Sequence, residues 1–310
     1  MNKFAIVPDR KITDIIQNGS FTVSAEIIPP RNGSSPMAIV EQIHGLTEAG
    51  AQFLAVTKGA GGSLRGGSLP IAQMVKDGFR KPCIAHFTCR DLLPEEVENQ
   101  LIDHHFMGIR NILALRGDPP KGVDTWAPRP GSHMYAYQLV EQIKKLNSGQ
   151  YLDRAGFKTK EKQELDFCIG VACYPEASTE TERIGYFAQK VQAGAEYAIS
   201  QMLFDGEAYA RFLEDSAKQG VHIPILPGAR LLKSQEQALK TAQRFGVSMP
   251  QRHLARLPKT DADAAAAPHA AVDAFLSLSS ELRKHGAPGI HVFVLSDNAG
   301  AIQAISRCVS

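Results

Sequence analysis

Short apolar runs alternate along this chain with longer stretches in which apolar residues return every three or four positions. The runs are rich in β-branched residues and read as strands buried on both faces, the pattern of a parallel sheet. Eight are marked, at residues 21–28, 53–57, 82–89, 111–117, 167–173, 197–203, 223–228 and 290–296. The seventh is the weakest, because it carries Pro224 and Pro227. Apolar spacing predicts helices over 37–48, 92–107, 134–146, 179–193, 207–219 and 235–245. Gly108, Gly194 and Gly220 stop three of them, and Pro94-Glu-Glu after Asp91 starts another.

Eight strand–helix units suggest either a doubly wound sheet or a (β/α)8 TIM barrel. The barrel is favoured by the count and by the lack of a G-x-G-x-x-G after the first strand. The nearest glycine cluster, Gly59-Ala-Gly-Gly62, follows the second strand and lacks the spacing. With 310 residues the chain exceeds the roughly 250 of a typical barrel. The surplus falls in an amino-terminal extension and in loop insertions at 119–133, 147–165 and 249–288, all on a single domain. The alanine-rich tract 262–267 reads as helix or loop.

Composition narrows the classes. Hydrophobic residues make up 44% and charged residues 21%, which excludes a disordered chain, a collagen-like repeat and a disulfide scaffold. Lys+Arg and Asp+Glu balance at 34 and 32, and the densest basic run, at 158–162, is interrupted by an acid. No nucleic-acid partner is therefore expected, and the run reads as a solvated loop. None of the five cysteines forms a C-x-x-C pair, so they read as small buried hydrophobes in a reducing compartment. The first eleven residues lack a signal-peptide core, and no run reaches the roughly 18 apolar residues of a membrane span. A cytoplasmic protein is expected, with no membrane partner.

In a barrel, chemistry gathers where strands run out into loops at their carboxyl ends. Those ends carry Glu26, Thr57, His86, Arg116, Asp118, Tyr174, Glu176, Gln201 and Asp205. Glu26 interrupts an apolar strand. In such surroundings its pKa rises and it can serve as a general acid, unless it pairs with an arginine or faces water. Arg116-Gly117-Asp118 puts a cation, a flexible glycine and a carboxylate on one turn, able to hold a phosphate or carboxylate or to form a local ion pair. His86 reads as ligand, base or satisfied core group, and His104-His105 receive no role. Lys190 sits where a lysine complements a helix dipole, and Tyr135 and Tyr174 are able to stack on a flat ring or to pack the rim. H-E-x-x-H, G-x-x-x-x-G-K-[ST] and G-x-S-x-G are all absent. The residues alone point to an enzyme acting on a flat organic ligand.

Seven of these strand ends occur together in one order: Ala25-Glu26-Ile-Ile-Pro-Pro30, Val56-Thr57-x-Gly59-Ala60, Ala85-His86-x-Thr88-Cys89, Ala114-Leu115-Arg116-Gly117-Asp118, Met134-Tyr135-Ala136, Tyr174-Pro175-Glu176 and Ser200-Gln201-x-x-Phe204-Asp205. The set resembles the 5,10-methylenetetrahydrofolate reductase family of flavoproteins, from about residue 21 to 232 and more faintly to 305. The resemblance implies a (β/α)8 barrel with FAD at its mouth. It implies that NADH or NADPH gives hydride to flavin N5, and that methylenetetrahydrofolate then takes it to become methyltetrahydrofolate, or the reverse. It assigns Glu26 as general acid toward N10 of the folate, Asp118 to the pterin and the flavin, and Gln201 to the folate. Thr57, Ala60, His86, Arg116, Gly117, Asp118, Tyr135, Ala136, Tyr174 and Lys190 fall on flavin-binding positions, with no metal.

This sequence departs from the family pattern at Lys58, where an aromatic is usual, and at Ala177-Ser178. It departs again at Arg183, aligned with an acidic flavin-contacting position, at Ala229-Arg230 after the seventh strand, and at Asp297, aligned with a folate-holding arginine. These departures bear on the nicotinamide and on the folate tail. A different electron partner, a non-catalytic folate or flavin binder, and a metal-dependent lyase on Glu26, His86 and Asp118 stay open at this point, as does a homo-oligomer.

Overall fold

The computed structural model describes residues 6–63, 65–120, 122, 127–153, 161–264, 267, 269–295 and 297–309. The side chain of Ala60, residues 158–160 of the basic run, 265 and 266 of the alanine tract, and 121 and 123–126 of the first insertion lie outside the described residues.

Eight strands close into a barrel in sequence order: β1 (Thr22–Ile27), β2 (Phe53–Val56), β3 (Cys83–Thr88), β4 (Asn111–Leu115), β5 (Cys168–Cys173), β6 (Tyr197–Met202), β7 (Ile225–Ala229) and β8 (Gly289–Phe293). Every neighbouring pair is parallel, including β8 with β1, so the (β/α)8 expectation holds. Each strand falls within two or three residues of its predicted limits. The doubt over the seventh strand resolves in its ladder. Register to β6 shifts between Ile199 and Met202, beside Pro227, and Ser200 Oγ accepts the Gly228 N–H at 3.0 Å. A proline without an N–H is tolerated where its partner strand bulges.

Alternation along the strands sorts side chains into two shells. Val23, Ala25, Ile27, Val56, Phe87, Ile112, Val171, Ala198, Ile225 and Val292 belong to the larger core between barrel and helices. Phe53, Ala55, Ile84, Leu113, Cys168, Tyr197, Ile199 and Leu226 point inward. Gly170 makes room in that interior: a Cβ there would come within 2.2 Å of the Tyr197 ring.

The amino-terminal extension does more than lengthen the chain. Its helix Ile12–Ile16 seats Ile12, Ile15 and Ile16 among the inward residues and closes the amino-terminal end of the barrel. Asn111 Oδ1 accepts the Ile12 N–H at 2.9 Å.

Met37–Glu48 and Gln235–Phe245 form as expected, and the ends of the other four shift by one or two residues, with 179–193 starting as the π turn Thr181–Gly185 before the helix Tyr186–Gln192. The span 249–288 is not simply an insertion. It contains Ala270–Lys284, which buries Phe275, Leu278 and Leu282 and is the outer helix leading into β8. Helical turns at Ser68–Gln73 and Met74–Gly78 join β2 to β3, and Asn298–Val309 follows β8. All five cysteines are free, and four are buried. Among the described residues no helix is long and apolar enough to cross a membrane.

Candidate active site

The carboxyl-terminal mouth of the barrel opens into a cleft of about 860 Å³. Eleven of the twelve site residues expected from the sequence line it: Glu26, Thr57, His86, Arg116, Gly117, Asp118, Tyr135, Ala136, Tyr174, Lys190 and Gln201. The twelfth, Ala60, lies in the turn Ala60–Gly62 beside them.

Glu26 points inward from β1. Burial alone pushes its carboxyl up to about 8, so at neutral pH it keeps its proton. The nearest basic atom is His86 Nε2 on β3, 3.7 Å from Oε2, beyond direct hydrogen-bonding distance. Burial holds that imidazole down at about 4, so it is neutral and adds no charge to the acid. Thr57 Oγ1 and His86 Nε2 are buried and have no hydrogen-bond partner among the described residues. Orphaned polar atoms lining a cleft are groups a ligand can satisfy.

The β4 turn is set by Gly117 at φ +95°. A Cβ there would lie 2.8 Å from Arg90 Cβ, so the turn needs glycine on two counts. It presents Arg116 to the cleft and anchors Asp118, whose Oδ2 accepts the Gly61 N–H at 2.9 Å. Arg116 and Asp118 therefore do not form the local ion pair considered from the sequence.

Lys190 likewise does more than complement a helix end. It is buried, donates to the Ala172 carbonyl at 2.8 Å and lies 5.7 Å from the centre of the Tyr174 ring. Burial lowers its pKa to about 8. Gln201 sits at the β6 bulge and folds its Oε1 onto the Met202 N–H at 2.9 Å. Tyr135 stacks on both Tyr137 and Tyr186, with ring centroids 5.5 and 5.3 Å apart.

Two other strand-end acids have structural work. Asp205 caps the helix Gly206–Lys218 and pairs with Arg252. Glu176 accepts from Ser248 and ties the β5 loop to the segment 245–247, which forms a cleft wall with Phe245 and Val247.

The departures also find places. Arg183 turns from the cleft to pair with Asp215 at 2.9 Å, and the acid that lines the cleft is its neighbour Glu182. Lys58 borders the cleft, while its Nζ turns away to Gln100 Oε1 at 2.7 Å and over the Phe87 ring. Asp297 pairs with Lys233 at 3.4 Å and receives the Gly300 N–H at 3.2 Å at the start of the last helix. Sequence reasoning missed Glu182, Tyr186, Phe245, Val247, His291 and Phe293, all of which line the cleft. Only the histidine and phenylalanine in the last strand gave any signal, by alternating with Ile290 and Val292. Among the described residues no three His, Cys, Asp or Glu side chains are grouped to hold a metal, so Glu26, His86 and Asp118 do not make a ligand set.

A closed parallel barrel with a protonated carboxyl, cations and stacked aromatics converging at its mouth defines a (β/α)8 barrel of the enzyme type. The sequence model of the family described as methylenetetrahydrofolate reductase matches residues 11–309, and the chain belongs to that family. It is 29% identical over 282 residues to the 5,10-methylenetetrahydrofolate reductase of Escherichia coli, covering 90% of this chain and 87% of that protein. It is 27% identical over 306 residues to methylenetetrahydrofolate reductase (NADH) 1 of Arabidopsis thaliana, covering 94% of this chain and 49% of that protein. The corresponding figures for methylenetetrahydrofolate reductase 1 of Schizosaccharomyces pombe are 28% over 291 residues, 92% and 45%. The chain thus spans about half the length of the plant and fission-yeast relatives. A solved structure described as an uncharacterized protein from Clostridium thermocellum that binds two copies of 5-methyl-5,6,7,8-tetrahydrofolic acid superposes with a TM-score of 0.57. At 16% identity, over 96% of this chain and 98% of that one, it shows a shared fold.

Proposed function

We propose that the protein interconverts 5,10-methylenetetrahydrofolate and 5-methyltetrahydrofolate, with FAD at the barrel mouth and Glu26 as general acid. The observation that carries this reading is a carboxyl that keeps its proton at neutral pH in the floor of a cleft sized for flat ligands, in a chain of this family. The methyltetrahydrofolate bound by the Clostridium thermocellum protein, on the same fold, supports the substrate class.

The cleft's donors fit a flavin dinucleotide. Arg116 and Lys190 supply positive charge near the start of the helix Ala136–Asn147, which suits a diphosphate. Thr57 Oγ1 and His86 Nε2 offer hydrogen bonds to ring heteroatoms, and Tyr174 offers an aromatic face. When bound, the flavin supplies hydride chemistry at N5 that no side chain can perform.

The chain's own residues do the rest. Glu26 gives its proton to N10 of the folate as the five-membered ring opens, and the product carries that proton on N10. Asp118, fixed by the Gly61 N–H, sets a negative charge beside the pterin and the flavin. Gln201, its carbonyl oxygen held by Met202, turns its amide N–H groups to the folate. Phe245 and Phe293 exclude water from the reacting face. NADH or NADPH is the reductant. A second reading, with a protein electron donor, is favoured by Lys58 and Ala177-Ser178, which replace residues the family uses near the nicotinamide.

The test is optical. The purified chain should be yellow or take up FAD, bleach with NADH or NADPH, and regain colour on adding methylenetetrahydrofolate. A colourless protein that refuses FAD, or a bleached one that folate cannot restore, overturns the reading. Bleaching by dithionite but by neither nicotinamide favours the second donor.

A further inference from the structure

Beneath the Glu26 carboxyl lie polar groups that the reductase reading leaves unused. His291 of β8 is fully buried and stands in register with Ser24 of β1. Its Nδ1 lies 2.8 Å from Ser24 Oγ. The Ser24 hydroxyl is also within 3.5 Å of the Ile290 carbonyl, which can only accept. With the hydroxyl proton on that carbonyl, Oγ accepts from Nδ1–H, and His291 Nε2 is left as a lone pair. That Nε2 is buried and without a hydrogen-bond partner among the described residues, like His86 Nε2 beside Glu26. Ser24 and Glu26 are two residues apart on the inward face of β1, so His291 sits about 7 Å deeper in the barrel than the acid. A single water between these side chains would have the Glu26 carboxyl and the two unpartnered Nε2 atoms as partners, within the two to four a buried water requires.

We propose that His291, oriented by Ser24, is a positioning residue for Glu26: through one internal water it accepts the hydrogen bond of the protonated carboxyl, with His86 as a second acceptor. The inference rests on Glu26 being the acid. Each donor is used once. Glu26 donates to the water, and the water donates to the two Nε2 atoms. His291 Nδ1–H donates to Ser24, and Ser24 donates to the Ile290 carbonyl.

Charges around the acid are compatible with this chain. His86 faces it from β3 and His291 from β8, with the Thr57 hydroxyl from the end of β2. Lys58 turns its ammonium away to Gln100, while Arg116, Asp118, Tyr174 and Lys190 stand at the β4 and β5 side of the mouth. Burial keeps both imidazoles neutral, at about 4 for His86 and about 3 for His291. Neutral acceptors favour the protonated carboxyl, and removing them favours the carboxylate.

Infrared titration of the full chain, with and without FAD, tests this. Wild type should show a protonated-carboxyl band that is absent in Glu26→Gln and is lost on raising pH with a midpoint near about 8. His291→Asn keeps an atom toward Ser24 but lacks Nε2. Its midpoint should fall by about one pH unit, a tenfold loss of proton affinity. His291→Gln should recover part of the shift. The alkaline limb of the folate half-reaction should move in parallel while KM for folate stays near the wild-type value. An unchanged midpoint and pH limb in His291→Asn overturns the proposal. Should that variant not fold, Ser24→Ala keeps the imidazole but frees it, and an unmoved midpoint there is equally fatal. Wild-type turnover in Glu26→Gln would sink the acid reading itself. An inactive Glu26→Gln beside an unshifted His291→Asn would sink this inference alone.

Discussion

At the amino-terminal end of the barrel interior, Ile12, Ile15 and Ile16 pack with Phe53, Ile84, Leu226 and the Tyr197 ring. A few residues along the same strands, the carboxyl-terminal end presents Glu26, Thr57, His86, Gln201 and His291 to a cleft. One end spends its inward positions on close packing. The other holds groups whose ordinary protonation is reversed by burial: an acid that stays neutral and imidazoles that refuse protons. The contrast teaches that a barrel can carry ill-satisfied polar atoms at one mouth because packing at the other secures the fold. It also shows why the polar end, where the unpartnered atoms of Thr57, His86 and His291 line an open cleft, is the end that binds, whereas the unpartnered Tyr197 hydroxyl at the packed end lines none.

The largest effects should separate the two ends. Glu26→Gln should lower folate turnover by about 10²–10⁴-fold, the usual weight of a positioned acid. The same variant should unfold no more easily than wild type, as thermal melting will show; a clear loss of stability would break the contrast. Tyr197→Ala, at the packed end, should do the opposite. It should cost about 3–5 kcal/mol in denaturant unfolding, as for other large buried rings, while flavin affinity at the mouth changes little.

Gly117→Ala should fall between these. Its φ of +95° and the approach to Arg90 Cβ strain any side chain. We expect a cost of about 1–3 kcal/mol, together with weaker ligand binding through the displaced Arg116 and Asp118, measurable by flavin titration.

The most diagnostic effect is in pH. Glu26 has a folded pKa of about 8 against an ordinary value of 4.5. Between those values the unfolded chain has released a proton that the folded chain keeps, so stability falls as pH rises through that window. His86 and His291 act on the acid side, at about 4 and about 3 against an ordinary 6.5. There the unfolded chain takes up protons that the folded chain refuses, so stability falls as pH drops below about 6.5. A stability profile of Glu26→Gln should lose the first decline and keep the second. If both declines survive, the acid is not the group that titrates.

The strands were legible because most are apolar on both faces, and eight such runs with no G-x-G-x-x-G after the first favoured a barrel over a doubly wound sheet. Ile12–Ile16 was not, since five residues give too little periodicity and its apolar face is explained only by the barrel end it fills. Ala270–Lys284 was hidden by the alanine-rich approach to it. In the site, the strand-end residues were read from position, and their convergence followed from closure. Arg183 aligned with an acidic position, yet it pairs with Asp215 while Glu182 lines the cleft; both lie in the π turn Thr181–Gly185, whose spacing an α-helical reading does not anticipate. Phe245 and Val247 reach the cleft through the Glu176–Ser248 contact, a long-range bond with no local signature.

The plug at the amino-terminal end has a consequence for how the molecule is made. Residues 12–16 leave the ribosome before every strand of the barrel, yet their socket includes Tyr197 and Leu226, about two hundred residues later in the chain. This segment must therefore wait, unseated, for the late strands before it can dock, and such distant pairings slow folding. Shortening the chain from its start would leave an uncorked cylinder, with its aliphatic lining open to water.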